Sequence, residues 1–155
     1  MVRDGDIAPD FVLPTDSGEK VKLSQLQGKQ VVLYFYPKDD TSGCTVEAKD
    51  FSSLATDFRT AKTHIIGVSP DSIESHAKFR KKHDLDVQLA ADGDKAVANA
   101  YGVWVEKSMY GRKYMGVERS TFLIDKAGRI AKSWRKVKVP GHAAEVLSAA
   151  RDLGR

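Results

Sequence analysis

At 155 residues, 41% hydrophobic and 30% charged, the chain has the size and balance of one globular domain, with enough apolar sequence for one continuous core. No apolar run approaches the roughly 20 residues that span a bilayer, and the start, Met1-Val2-Arg3-Asp4-Gly5-Asp6, lacks the basic and apolar stretches of a secretory signal. The 25 basic and 21 acidic residues are interspersed, so neither a nucleic acid nor a membrane is the expected partner. The densest basic clusters are Lys78 to Lys82 and Lys132 to Lys138, and the second, around Trp134, reads as a strand whose alternate residues are solvated. One cysteine, Cys44, cannot form an intrachain disulfide, which fits a reducing compartment, the cytoplasm by default.

The elements follow in chain order. Ile7 to Pro14 holds two prolines, which exclude helix and favour an extended, edge-like course. Thr15 to Gly18 reads as a turn, and Lys20 to Leu23 as a short strand. Gln30 to Tyr36, β-branched and aromatic between Gly28 and Pro37, is the expected central strand. From Cys44 the stripe Val46, Phe51, Leu54, Ala55 and Phe58 predicts one helix to about residue 59. Thr63 to Ser69 is a second buried strand. Asp71, with Glu74 three residues later, resembles a capping box for a helix from Ser72 to about His83.

Val87 to Ala90 is a short strand, and Asp92-Gly93-Asp94 opens a helix ending near Tyr101-Gly102. Gly111 and Gly116 bracket a mobile, hairpin-like loop rather than a phosphate loop, since no strand and helix flank them. Ser120 to Ile124 and Arg129 to Trp134 flank a hairpin turn at Asp125 to Gly128, and a last helix spans about His142 to Leu153. The order β, β, α, β, α, β, α, β, β, α describes an α/β, thioredoxin-like fold. Its central mixed sheet is flanked by helices on both faces, with parallel pairs joined by right-handed crossovers.

Cys44 falls at the junction between the central strand and the following helix. A thiol in the first helical turn faces unpaired backbone N–H groups and the positive end of the helix dipole, which favour thiolate. Attack by a thiolate on a peroxide O–O bond needs an ionised sulfur, an aligned peroxide, and donors for the departing oxygen. Thr41, three residues earlier, can place its hydroxyl beside the sulfur within one turn. Pro37 ends the strand and can shield the pocket from water. Arg119, just ahead of a strand, can supply a permanent charge whose fork fits both thiolate and peroxide oxygen, and the N–H groups of Gly43 and Cys44 complete the set.

The stretch Phe35-Tyr36-Pro37-Lys38-Asp39-Asp40-Thr41-Ser42-Gly43-Cys44-Thr45-Val46-Glu47 resembles the active-site segment of peroxiredoxins, most closely the bacterioferritin comigratory protein (PrxQ) subfamily. Ala8 to Phe11, Gly67 to Ser69, Tyr110 to Gly116 and Glu118 to Asp125 extend the resemblance over essentially the whole chain. It implies a thiol peroxidase that reduces hydrogen peroxide and organic hydroperoxides through a cysteine sulfenic acid. Cys44 would be the nucleophile, Thr41 and Arg119 would orient the peroxide, and Pro37 would shield the pocket. No cofactor or metal is implied, and the assembly expected is a monomer or weak homodimer.

Two positions depart from the family pattern. Ser42 stands where proline usually follows the motif threonine. Lys49 stands where many members carry a resolving cysteine, and no other cysteine exists in the chain. The oxidised sulfur must therefore be recycled by an external thiol such as thioredoxin, glutaredoxin or glutathione. Glu47 reads as a dipole-stabilising carboxylate in the first turn, with no catalytic role assigned. His64, His76, His83 and His142 are scattered and read as structural or solvated. Tyr34, Tyr36, Trp104, Tyr110 and Tyr114 read mostly as core or surface packing.

Three other functions fit less of the sequence. A thioredoxin-type oxidoreductase needs Cys-x-x-Cys, and Thr41 occupies the first position of that motif here. A single-cysteine redox adaptor or transferase on the same fold is the alternative. An interaction module or holdase would have no use for Cys44.

Overall fold

The computed structural model describes residues 2–155. Its centre is a five-stranded sheet in the order β5-β4-β3-β8-β9, built from β3 (Gln30–Phe35), β4 (Thr63–Ser69), β5 (Gln88–Ala91), β8 (Ser120–Ile124) and β9 (Ile130–Trp134). β3 pairs in parallel with β4, and β4 with β5, while β8 runs antiparallel to both β3 and β9. All six residues of β3 are buried, as a central strand covered on both faces requires.

Side chains along β3 alternate between two cores. Val31, Leu33 and Phe35 point into a cluster with Ile66, Val68, Phe122 and Ile124. That face is closed by Phe11, by Leu13 of β1 (Val12–Pro14), by Val21 of β2 (Lys20–Lys22), and by Val97 and Ala98 of α4 (Ala96–Ala100). Val32, Tyr34 and Tyr36 point into the other cluster. Its cover comes from α1 (Ser42–Ser53), α2 (Ala55–Thr60), α3 (Ile73–His83) and α5 (His142–Leu153), through Phe51, Phe58, Phe79 and Val146. Helices lie on both faces as expected, but unevenly: among the described residues four α-helices lie on the side that holds Cys44, and one α-helix with a short 3-10 turn at Leu23–Leu26 on the other.

Four local expectations are corrected. The helix after Cys44 is two helices, broken at Leu54, whose N–H turns back to Phe51 O at 3.1 Å. After the break Phe58 remains fully buried, its ring 5.9 Å from that of Phe51. The cap of α3 is Ser72, whose hydroxyl accepts from Ser75 N–H at 3.1 Å; Asp71 instead accepts from Asp39 N–H and Ser69 Oγ. α4 begins later than predicted, at Ala96, and the Asp92 carboxylate accepts from Val97 and Ala98 N–H in its first turn.

The segment around Gly111 is regular. β6 (Trp104–Met109) and β7 (Arg112–Val117) form a separate antiparallel ribbon. Tyr110 and Gly111 at its tip have φ of 52° and 77°, the left-handed pair that a two-residue hairpin loop needs. Among the described residues no helix is long and apolar enough to cross a membrane.

Candidate active site

β3 ends at Phe35, and Pro37, half-buried and without an N–H, follows Tyr36. The chain then turns at Asp39 and Asp40, with Asp40 at φ 59°, a left-handed conformation that aspartate tolerates better than most residues. Thr41 is extended and forms the N-cap of α1, so Cys44 falls in the first helical turn, 1% exposed. The first helical bond across this end is Thr45 N–H to Thr41 O at 2.8 Å. The N–H groups of Gly43 and Cys44 have no acceptor among the described residues, as the start of a helix dictates.

Arg119 reaches this point through sheet register. Phe35 is paired with Ser120 across the β3–β8 ladder, so the residue before β8 lies beside the end of β3, where the cysteine loop departs. Its guanidinium then forks. Nη2 donates to Cys44 Sγ at 3.2 Å, and Nη1 donates to Glu47 Oε1 at 2.7 Å. Gly43 makes room for the fork, since a Cβ there would lie 3.2 Å from Arg119 Nη2.

Glu47 is one residue whose place in the site the sequence reading missed. It is 1% exposed, and one of its two oxygens, Oε2, has no hydrogen-bond partner among the described residues. Burial pushes its carboxyl up to about 7 despite the pull of the adjacent Arg119 charge. For Arg119 the balance is reversed: burial opposes its charge, but Glu47 and Cys44 together outweigh it and raise its pKa above the ordinary value. The guanidinium is therefore a fixed cation beside the sulfur, whereas its carboxylate partner can take up a proton near neutrality. The available signal was spacing, since Glu47 lies three residues after Cys44 on the same helical face.

A second cation, Lys107 of β6, was also missed. It is half-buried, its stem lies over Gly116, and burial and then the Arg119 charge lower its pKa. Thr41 differs from expectation: its hydroxyl donates to Lys38 O at 2.8 Å, bonding neither the sulfur nor a helix N–H. The tight turn at Asp39–Asp40 brings the Lys38 carbonyl within its reach, and the Thr41 oxygen keeps its lone pairs. Lys49 is exposed on α1, in line with a solvated helix residue.

The arrangement can hold a thiolate against a cation and present two free N–H donors at the same spot, which suits nucleophilic attack that releases an oxyanion. Residues 5–133 match the family described as AhpC/TSA. The chain is 54% identical to peroxiredoxin Bcp of Bacillus subtilis over 96% of its own length and 95% of the relative's.

The chain belongs to the AhpC/TSA family of peroxiredoxins. Among solved structures, a cysteine-to-serine mutant of PrxQ from Xylella fastidiosa superposes with a TM-score of 0.94 at 37% identity, covering 100% of this chain and 99% of that one. A structure of the Xanthomonas campestris bacterioferritin comigratory protein, described in terms of alkyl peroxide reduction, superposes at 0.90 with 43% identity over 94% and 92%. In this peroxiredoxin, the thiol and buried carboxyl of α1 thus meet a guanidinium just ahead of β8, which lies 75 residues from Cys44 and 72 from Glu47.

Proposed function

We propose that this peroxiredoxin reduces hydrogen peroxide and organic hydroperoxides, with Cys44 as nucleophile and Arg119 and the N–H groups of Gly43 and Cys44 receiving the peroxide oxygens. The observation that carries this reading is the Arg119 fork, which sets a permanent charge 3.2 Å from the sulfur at a helix N-terminus. The thiolate attacks one peroxide oxygen, the O–O bond breaks, and the departing oxygen takes a proton and leaves as water or alcohol. Cys44 becomes a sulfenic acid. An external thiol condenses with it, releasing water and forming a mixed disulfide, and a second thiol reduces that disulfide to regenerate Cys44.

Pro37 keeps water from the pocket, and the free lone pairs of Thr41 accept a hydrogen bond from the incoming peroxide. We assign the reductant to the thioredoxin, glutaredoxin or glutathione class and the location to the cytoplasm, where such thiols and redox homeostasis operate. The protein acts as one domain, in keeping with two cores that share one sheet, and the family resemblance points to a monomer or weak dimer. The related Xanthomonas protein's alkyl peroxide activity supports the substrate class.

The test is the single-turnover rate of Cys44 oxidation by one equivalent of hydrogen peroxide at pH 7, folded against unfolded. An ordinary thiol is roughly 3% ionised at pH 7, so ionisation alone gives about 30-fold at most. A gain on the order of a thousandfold means that the site stabilises the transition state. A gain near 30-fold or below hands the fold to a redox adaptor or transferase.

A further inference from the structure

Outside the sulfur site, a buried polar cluster surrounds His76 on α3 and Asp39 in the turn before Cys44. The His76 side chain is fully buried and that of Asp39 is 4% exposed. His76 Nδ1 lies 2.7 Å from Asp39 Oδ2, and Nε2 lies 3.0 Å from Ala90 O. A carbonyl oxygen only accepts, so Nε2 carries a hydrogen. Asp39 Oδ2 already accepts from Ser75 Oγ at 2.8 Å, and Tyr36 OH donates to Oδ1 at 2.6 Å. His76 Nδ1 thus faces the Asp39 carboxylate, with Tyr36 OH 3.4 Å away, and Nε2 faces the Ala90 carbonyl.

Asp71 also comes within 4.8 Å of this pair, a grouping that could be read as metal ligands. Its Oδ2 accepts from Asp39 N–H at 2.8 Å and from Ser69 Oγ at 2.6 Å. The donor atoms are therefore committed to one another, and the cluster works as a fastening.

What it fastens is the turn that carries the reacting groups. Asp39 is pinned at its amide and at both carboxylate oxygens. The next residue, Asp40, is held in its left-handed conformation by Lys82 Nζ at 2.7 Å and His83 Nε2 at 2.8 Å, again from α3. Thr41 and the first turn of α1 follow directly.

We propose that His76, through Asp39, is a positioning residue for peroxide reduction: α3 clamps the turn at residues 37–41 and so sets Thr41, the Gly43 and Cys44 N–H groups and the sulfur in reacting register. Displacements of about 1 Å at such a site can cost on the order of a hundredfold in rate. The inference rests on the peroxidase reading and adds to it a residue on an element that contributes no reacting group.

Two substitutions separate the clamp from simple stability. In His76→Asn the amide takes the place of Nδ1 and keeps a donor to Asp39 while losing Ala90. In His76→Gln it takes the place of Nε2 and keeps Ala90 while losing Asp39. The readouts are single-turnover Cys44 oxidation under conditions where each variant is folded, and the urea midpoint. Both variants are expected to lose stability, but His76→Asn stays within about threefold of the wild-type rate while His76→Gln falls at least about tenfold. Equal rates in the two variants overturn the clamp. If His76→Gln does not fold, Tyr36→Phe combined with Ser75→Ala removes two of the donors to Asp39 at little cost in packing. That variant is expected to be at least about fivefold slower, and a wild-type rate overturns the clamp. A wild-type protein no faster than an unfolded thiol would sink the peroxidase reading and the clamp together, whereas a fast wild type with matched variants sinks the clamp alone.

Discussion

Glu47 is subject to two opposed influences: burial, which favours its neutral form, and the Arg119 guanidinium at 2.7 Å, which favours its charge. Burial prevails, and the carboxyl is raised from 4.5 to about 7. Between those values the folded protein holds a proton that the unfolded chain has lost, so this contribution to stability is full below about pH 4.5 and declines as pH rises through about 7. Glu47→Gln keeps the acceptor for Nη1 but cannot titrate. Urea midpoints taken from pH 4.5 to 7.5 should show the wild type losing up to about 3 kcal/mol relative to the variant, and parallel curves would remove Glu47 from the account. The sequence singled out Cys44 and Arg119, which the structure brings together, because a lone thiol at a helix start and an arginine just ahead of a strand carry their chemistry with them. Glu47 was illegible by the same logic, since a glutamate in a first helical turn has an adequate local explanation.

At the scale of elements, α1 is shaped by what lies against its first turn. Gly43 is a poor helix former, and its use follows from the guanidinium that a Cβ would meet at 3.2 Å. Gly43→Ala should leave the unfolding midpoint level or raised, because alanine favours the helix, while slowing Cys44 oxidation about tenfold as the fork is pushed off the sulfur. An unchanged rate would mean that Arg119 shifts without consequence. The β6–β7 ribbon was legible only as a hairpin-like loop. Its strands stand apart from the central sheet, and Met109, Tyr110, Tyr114 and Met115 are exposed, so neither alternation nor apolar runs mark it. The break at Leu54 was hidden for a different reason, since residues on both sides of it bury on one face and the apolar stripe runs through it.

For the whole molecule, the decisive number is one cysteine. The sulfenic acid has no partner thiol in its own chain, so excess peroxide without reductant should carry Cys44 to sulfinic acid and end turnover. Mass spectrometry should find two added oxygens on the Cys44 peptide, rising with loss of activity. Activity that survives prolonged excess peroxide would require another route of protection.

The sequence alone determined the α/β order, the central strand, the reacting thiol and the family, because these rest on local periodicity and on residues close together in the chain. Only the tertiary structure decided which charges meet the sulfur. Arg119 and Cys44 are 75 residues apart, and the β3–β8 register brings them within 3.2 Å. His76 and Asp39, 37 residues apart, meet because α3 packs over the turn that the first strand–helix unit leaves exposed. Burial, which gave Glu47 its proton affinity and His76 its two fixed partners, belongs to the assembled fold, because it depends on what every other element covers.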